Sequence, residues 1–237
     1  MNLVIDIGNT LIKLAIFNGN DLIYSATESE INETVLEALY KRYTINNGIV
    51  SSVRSDEEFL LKKHNFLNLT HTTPLPLALN YKTPETLGID RIAAVVGSGV
   101  EYKDKNVLTI DLGTCITYDF LNAKNEYLGG AIAPGFQMRF KALNNYTEKL
   151  PLVEFDKENL NLVGNTTESS IISGVYNGMQ NEIEGTINNY LSQYDDLKIV
   201  VTGGDRNLFD LEPKNRIFAD EFLVQKGLNE ILNYNEQ

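Results

Sequence analysis

The sequence has one cysteine, Cys115, and is short of basic residues: 20 Lys and Arg stand against 32 Asp and Glu, a formal net charge of −12 over 237 residues. A single cysteine excludes a framework of internal disulfides and fits a reducing compartment, so a cytoplasmic protein is expected. The acidic balance argues against nucleic acid as a partner, because a nucleic-acid footprint needs a basic face. No stretch approaches about 18 consecutive apolar residues, so no membrane span is expected. No basic segment with an apolar run precedes Asp6, so no signal peptide is expected either. Low-complexity segments and blocks of like charge are also missing. What is left is an ordinary globular composition, 43% hydrophobic and 22% charged, in a chain long enough for one large domain or two small ones.

Two short stretches organise the chain. Asp6-Ile7-Gly8-Asn9-Thr10 follows the apolar run Asn2–Ile5, and Asp111-Leu112-Gly113-Thr114 follows Val107–Ile110. Each run reads as a buried strand that ends in Asp, then Gly, then Thr. A second apolar run follows each turn, Leu11–Phe17 and Cys115–Leu121. A turn of this kind is also met in plain hairpins with an Asx bond. A second copy after a second buried strand favours a duplicated strand–turn–strand unit, and hence two domains. The turns have a chemistry. Glycine lets the backbone approach a ligand closely, successive N–H groups in a tight turn form an anion-binding concavity, and Thr10 and Thr114 add hydroxyls. Asp6 and Asp111 repel phosphate unless a cation intervenes. Carboxylate with phosphate therefore implies a metal, with Mg²⁺ held partly through water as the expected ion. Two such loops suit a nucleoside triphosphate.

Taken in order, Leu11–Phe17 and Leu22–Ala26 flank Asn18-Gly19, a strong hairpin signal. A helix is expected over Glu30–Tyr43, a strand over Gly48–Val53, a helix over Asp56–His64 and a strand over Phe66–Leu69. The order βββαβαβ points to a mixed sheet with helical crossovers in an α/β fold. Pro74 and Pro76 mark Leu75–Tyr81 as a loop. Thr83-Pro84 reads as a helix cap with proline at the first position, and Gly88-Ile89-Asp90-Arg91 leads into a helix over Ile92–Tyr102. Asp90 at a helix start suits the macrodipole; Arg91 there is not explained that way. In the second half, strands are expected at Val107–Asp111, Cys115–Leu121 and Glu126–Ile132. Gly129-Gly130-Ala131-Ile132-Ala133-Pro134-Gly135 then means either a bulged strand end or a backbone shaped to approach something closely. A helix over Phe136–Thr147 and a loop over Leu150–Leu162 come next. Asn165 and Glu168 look like a capping box opening a long helix over Thr167–Leu191. A strand at Lys198–Val201, a short strand at Arg216–Phe218 and a helix over Glu221–Tyr234 close the chain.

Four motifs in this order resemble those of the type III pantothenate kinases, members of the acetate kinase/sugar kinase/Hsp70/actin superfamily, and the resemblance covers nearly the whole chain. They are Asp6–Thr10, Leu87-Gly88-Ile89-Asp90-Arg91, Asp111–Thr114 and Gly129–Gly135. The resemblance implies two ribonuclease H-like (actin-like ATPase) domains with mixed five-stranded sheets, residues 1–104 and 105–237. It implies ATP bound between them, phosphorylation of the pantothenate hydroxyl toward coenzyme A, a homodimer, and K⁺ or ammonium beside the phosphates. By residue it implies that Asp6, Ile7, Gly8, Asn9, Thr10, Leu11, Ile12, Lys13 and Thr114 bind ATP. Asp90 is implied as general base, with Tyr81, Gly88, Ile89, Arg91 and Thr167 around the substrate. Asp111 is implied as the monovalent-cation ligand, and Thr202-Gly203-Gly204 resembles the adenosine loop. Ile116 departs from the family's usual threonine.

Two other functions stay open at this point: a superfamily kinase with another small substrate, and a kinase-like regulatory binding protein. The second should have lost a carboxylate, whereas Asp6, Asp90 and Asp111 are all present. For assembly, Ile171, Ile172, Val175, Tyr176 and Met179 exceed one narrow apolar stripe. The expectation is a C₂ dimer in which this helix or the loop before it meets its mate, with Met179 either at that contact or in the core.

Overall fold

The computed structural model describes residues 1–8, 11–54, 64–211 and 216–236. The expected helix over Asp56–His64 falls almost wholly on residues 55–63, outside the described set. The chain forms two units. One comprises Met1–Asp104, Leu121–Leu128 and Phe222–Gln237; the other comprises Lys105–Phe120 and Gly129–Glu221.

The strands are β1 (Asn2–Ile7), β2 (Ile12–Asn18), β3 (Asp21–Glu28), β4 (Asn47–Ser52), β5 (Leu67–Asn68), β6 (Ala78–Leu79), β7 (Val107–Leu112), β8 (Cys115–Leu121), β9 (Glu126–Pro134), β10 (Lys198–Thr202) and β11 (Ile217–Ala219). The helices are α1 (Glu33–Arg42), α2 (Ile89–Glu101), α3 (Phe136–Asn145), α4 (Thr167–Gln193) and α5 (Leu223–Asn235). Two mixed sheets result, of order β3-β2-β1-β4-β5 and β11-β10-β7-β8-β9-β6. The first matches the expected five strands. The second has six, because β6 forms where a proline-punctuated loop was expected. Its prolines lie before the paired residues, so Ala78 and Asn80 are free to donate backbone N–H bonds to the Asn125 and Tyr127 carbonyls (3.0 and 2.9 Å).

In the first unit, β1 runs antiparallel to β2 and parallel to β4. Leu3, Ile5, Leu14, Ile16, Leu36 and Val50 fill its core. Strand β1 is buried at Leu3–Ile5 and again at Ile7, and Asp6 between them is half-buried. The amide of Asn2 anchors the start of the strand, donating to the side-chain oxygens of Asn229 and Asn233 on α5 (2.9 and 2.8 Å). Helices α2 and α5 cross closely. A methyl at Gly227 would lie 1.8 Å from the Ala93 carbonyl oxygen, and one at Gly97 2.3 Å from that of Leu223. Glycine at both positions is what lets the backbones meet.

In the six-stranded sheet, short turns join β7 to β8 and β8 to β9, as only antiparallel neighbours allow, while β10 lies parallel to both β7 and β11. Helix α4 buries Ile172, Val175, Met179, Ile183 and Ile187 against Leu108, Ile110, Phe136 and Phe140. This corrects the surface placement of Met179, whose side chain is 0% exposed. Ile171, Ile172 and Val175 are buried as well, and Tyr176 packs on the same cluster. The broad stripe is wide because α4 is covered by strands, by α3 and by the 150–162 segment together. The cap also differs from expectation. Thr166 and Ser169, rather than Asn165 and Glu168, form the capping box that starts α4; hydroxyls on short side chains reach the free N–H groups directly.

Candidate active site

The first unit carries two of the motifs. Across the Asp6 turn, Asp6 pairs in register with Lys13 and Ile7 with Ile12. The Gly8 amide donates to the Leu11 carbonyl at 3.1 Å and closes the turn. Ile7 and Ile12 bury their side chains in the core, so what they present at the turn is backbone. Leu11 is exposed and Lys13 half-buried. Asn9 and Thr10 lie outside the described residues.

The second motif opens α2 three residues earlier than expected. Gly88 is the cap residue and Ile89 the first helical one. Asp90 is exposed, and its Oδ1 accepts the Arg91 amide at 2.9 Å. A methyl on Gly88 would sit 2.5 Å from that oxygen, so glycine here makes room for the carboxylate. The Arg91 side chain is buried. Tyr81 lies two residues beyond β6, and its ring tilts against that of Tyr127 at 5.9 Å between centroids. The expected helix after Thr83 is one 3₁₀ turn, Pro84–Thr86, without a side-chain cap.

In the second unit, two glycine-bearing segments converge on the Asp111–Thr114 turn, which its own Gly113 closes. The Gly113 amide donates to the Cys115 carbonyl (3.1 Å), that of Gly135 to Thr114 (3.2 Å), and that of Asp205 to Leu112 (3.0 Å). A methyl at Gly135 would lie 2.3 Å from the carbonyl oxygens of Gly113 and Thr114. Gly203 has φ +95°, and a methyl there would lie 2.4 Å from the Leu112 carbonyl oxygen and 2.5 Å from Asp111 Oδ1. Only glycine fits either place. The Asp111 carboxylate thus rests in a hollow left by missing side chains, with exposed Thr114 beside it. Arg206 donates to the Gly203 carbonyl (3.1 Å) and pairs with Glu221, which braces the loop. Burial pushes the Asp205 carboxyl above the ordinary carboxylate range. Ile116, where the family's threonine was missed, is 0% exposed in the core, so its methyls replace a hydroxyl among apolar side chains.

Among the described residues, no three His, Cys, Asp or Glu side chains gather into a protein-built metal cage. Single carboxylates, Asp6 and Asp111, at the ends of β1 and β7 would fit a hard cation whose other oxygens come from a bound anion and water.

Thr167 lies on the wall of a cavity of 1070 Å³ within the second unit. Asn165, Thr166, Ser170 and Arg139 supply its other polar atoms, while Leu143, Leu150, Ile171 and Val175 supply the apolar wall. Arg139 was not foreseen. It donates from Nε to the Pro134 carbonyl (2.9 Å) and from Nη2 to Glu182 (2.7 Å). The Tyr118 hydroxyl donates to the same carboxylate at 3.2 Å. Burial, and then the charge of Glu182, push that hydroxyl well above the ordinary tyrosine range, so it stays a donor. The only sequence signal was an arginine four residues after the glycine that ends the Gly129–Gly135 element.

Comparison with known proteins gives the same direction. The family model described as type III pantothenate kinase matches residues 2–189. The type III pantothenate kinase of Phocaeicola vulgatus is 45% identical over 242 residues, covering 100% of both chains. That of Christiangramia forsetii is 46% identical, covering 100% of this chain and 99% of its own. A ROK family glucokinase from Streptomyces griseus, solved with glucose and AMPPNP, matches with TM-score 0.55 at 10% identity, covering 98% of each chain. Lmo2764 of Listeria monocytogenes, a putative N-acetylmannosamine kinase, matches with TM-score 0.53 at 12% identity, covering 100% of this chain and 99% of its own. At such identities these likenesses establish the fold alone, that of the actin-like sugar kinases. Family match and full-length relatives together place the chain: it belongs to the type III pantothenate kinase family.

Proposed function

We propose that the protein transfers the γ-phosphoryl group of ATP to the primary hydroxyl of pantothenate, giving ADP and 4′-phosphopantothenate, the first committed step toward coenzyme A. The observation that carries this is the Leu87–Arg91 motif at the start of α2, in a chain whose full-length relatives bear that name. Phosphoryl transfer asks for positioning and charge neutralisation more than for covalent chemistry, and each unit supplies part of that. In the first, the Asp6–Lys13 turn receives ATP phosphates through its backbone. Asp90 accepts the proton of the attacking hydroxyl, and its exposure leaves it open to substrate. Arg91 offers a fork of donors to a carboxylate or phosphate oxygen, and Tyr81 lines the substrate side. In the second, Thr114 contacts ATP, the Thr202–Gly204 loop faces the adenosine, and Thr167 meets pantothenate from the wall of the cavity.

ATP comes with a divalent metal, here Mg²⁺, which spreads the phosphate charge when bound. Asp111 is the ligand we assign to K⁺ or ammonium. Activity is therefore expected to rise when K⁺ replaces Na⁺, and Asp111→Ala to lose that response in steady-state assays. Equal rates of the unmodified protein in Na⁺ and K⁺ would count against the assignment. We read the two units as ribonuclease H-like domains whose main division is at residues 104/105, with residues 121–128 and 222–237 returning to the first unit. We place the protein in the cytoplasm and as a homodimer. The exposed Leu162 and Val163 (82% and 80%), in the loop before α4, support that assembly.

A further inference from the structure

A closed circuit of polar contacts runs behind the Asp111–Thr114 turn. The Gly135 amide leans on the Thr114 carbonyl, and no side chain fits between them. The turn therefore follows wherever the Pro134–Gly135 peptide is held. That peptide is held by Arg139, one turn into α3, whose Nε donates to the Pro134 carbonyl. The neighbouring Nη2 donates to one oxygen of Glu182 on α4. The other oxygen of Glu182 accepts from Tyr118, which lies on β8, four residues beyond Thr114. The circuit thus leaves the turn through α3 and α4 and returns along β8. Two donors on one edge of a planar guanidinium serve two different acceptors, a geometry that a lysine ammonium cannot reproduce.

We infer that Arg139 and Glu182 are positioning residues for phosphoryl transfer: as a pair they hold the Pro134–Gly135 peptide, and through it the Asp111–Thr114 turn, in the shape that receives nucleotide phosphates. This rests on the assignment of that turn to ATP. The pair is partly open to solvent, 19% and 34% by side chain, so removing one partner does not leave a fully buried, uncompensated charge. The effect of the pair belongs in nucleotide affinity.

The test is calorimetric titration with AMPPNP and Mg²⁺ of Glu182→Gln, Arg139→Lys and the double variant, each also followed by thermal unfolding. Glu182→Gln keeps size and does not alter the cavity wall; Arg139→Lys keeps charge but loses the fork. Each single change is expected to weaken AMPPNP binding about tenfold, the scale of one lost charge-assisted bond. The double is expected to be no weaker than either single, as for members of one network, and the melting temperature to move little. Unmodified affinity in a folded Glu182→Gln or Arg139→Lys protein overturns the inference. So does a double variant whose loss is the product of the two singles. An unmodified protein that binds AMPPNP but does not phosphorylate pantothenate would remove the proposed substrate and leave the role of the pair standing.

Discussion

Asp90→Asn is expected to lower kcat about 10²–10⁴-fold, the usual contribution of a positioned proton acceptor. The amide keeps the size of the carboxyl and can still accept the Arg91 N–H bond that orients Oδ1. What it cannot do is take the proton of the attacking hydroxyl. Nucleotide affinity should stay nearly unchanged, because Asp90 sits at the start of α2 and not on either turn proposed to receive ATP. Single-turnover kinetics beside AMPPNP titration separate the two quantities. A variant with near-unmodified kcat would take Asp90 out of the role of base.

Met179→Glu is expected to unfold the protein. Met179 is fully buried on α4, and a carboxylate there would be an unpaired charge in an apolar core. Changes of that kind exceed about 4 kcal/mol, a large part of a domain's roughly 5–15 kcal/mol stability. Val163→Glu is the contrasting change, because its side chain is exposed in the loop before α4. It should leave the helical signal intact and, on the proposed assembly, shift the protein to monomers. Circular dichroism with sedimentation velocity reads both. A well-folded monomeric Met179→Glu protein would restore the surface placement of that side chain.

The comparison of α4 with its sequence explains what could be read in advance and what could not. Apolar spacing marked the body of the helix, because periodicity is a local property, while its start at Thr167 was inferred from a capping box that the structure places on Thr166 and Ser169 instead. Which side of a wide stripe faces water depends on what covers it, and the 150–162 segment that helps cover α4 carries no periodic signal. Strand β6 was hidden for a related reason. A two-residue strand has no pattern of its own and exists only because Asn125 and Tyr127 offer carbonyls to it. The Asp6 and Asp111 turns were legible because aspartate, glycine and threonine adjoin in sequence. The glycine packing of the Asp111–Thr114 turn, by Gly113, Gly135 and Gly203, was legible only in pieces, as three separate glycine motifs. Arg139, Glu182 and Tyr118 were not legible as a group, since their partnership spans 64 residues of chain and none of them belongs to a motif.

Pantothenate phosphorylation is read most directly by incubating the unmodified protein with pantothenate, ATP, Mg²⁺ and K⁺, with ADP release coupled to a spectrophotometric readout and the product weighed by mass spectrometry. The expected result is pantothenate-dependent ADP release matched one-for-one by a product heavier by one phosphoryl group. ADP release that ignores pantothenate, or a folded protein that binds AMPPNP and yields no phosphorylated pantothenate, would contradict it.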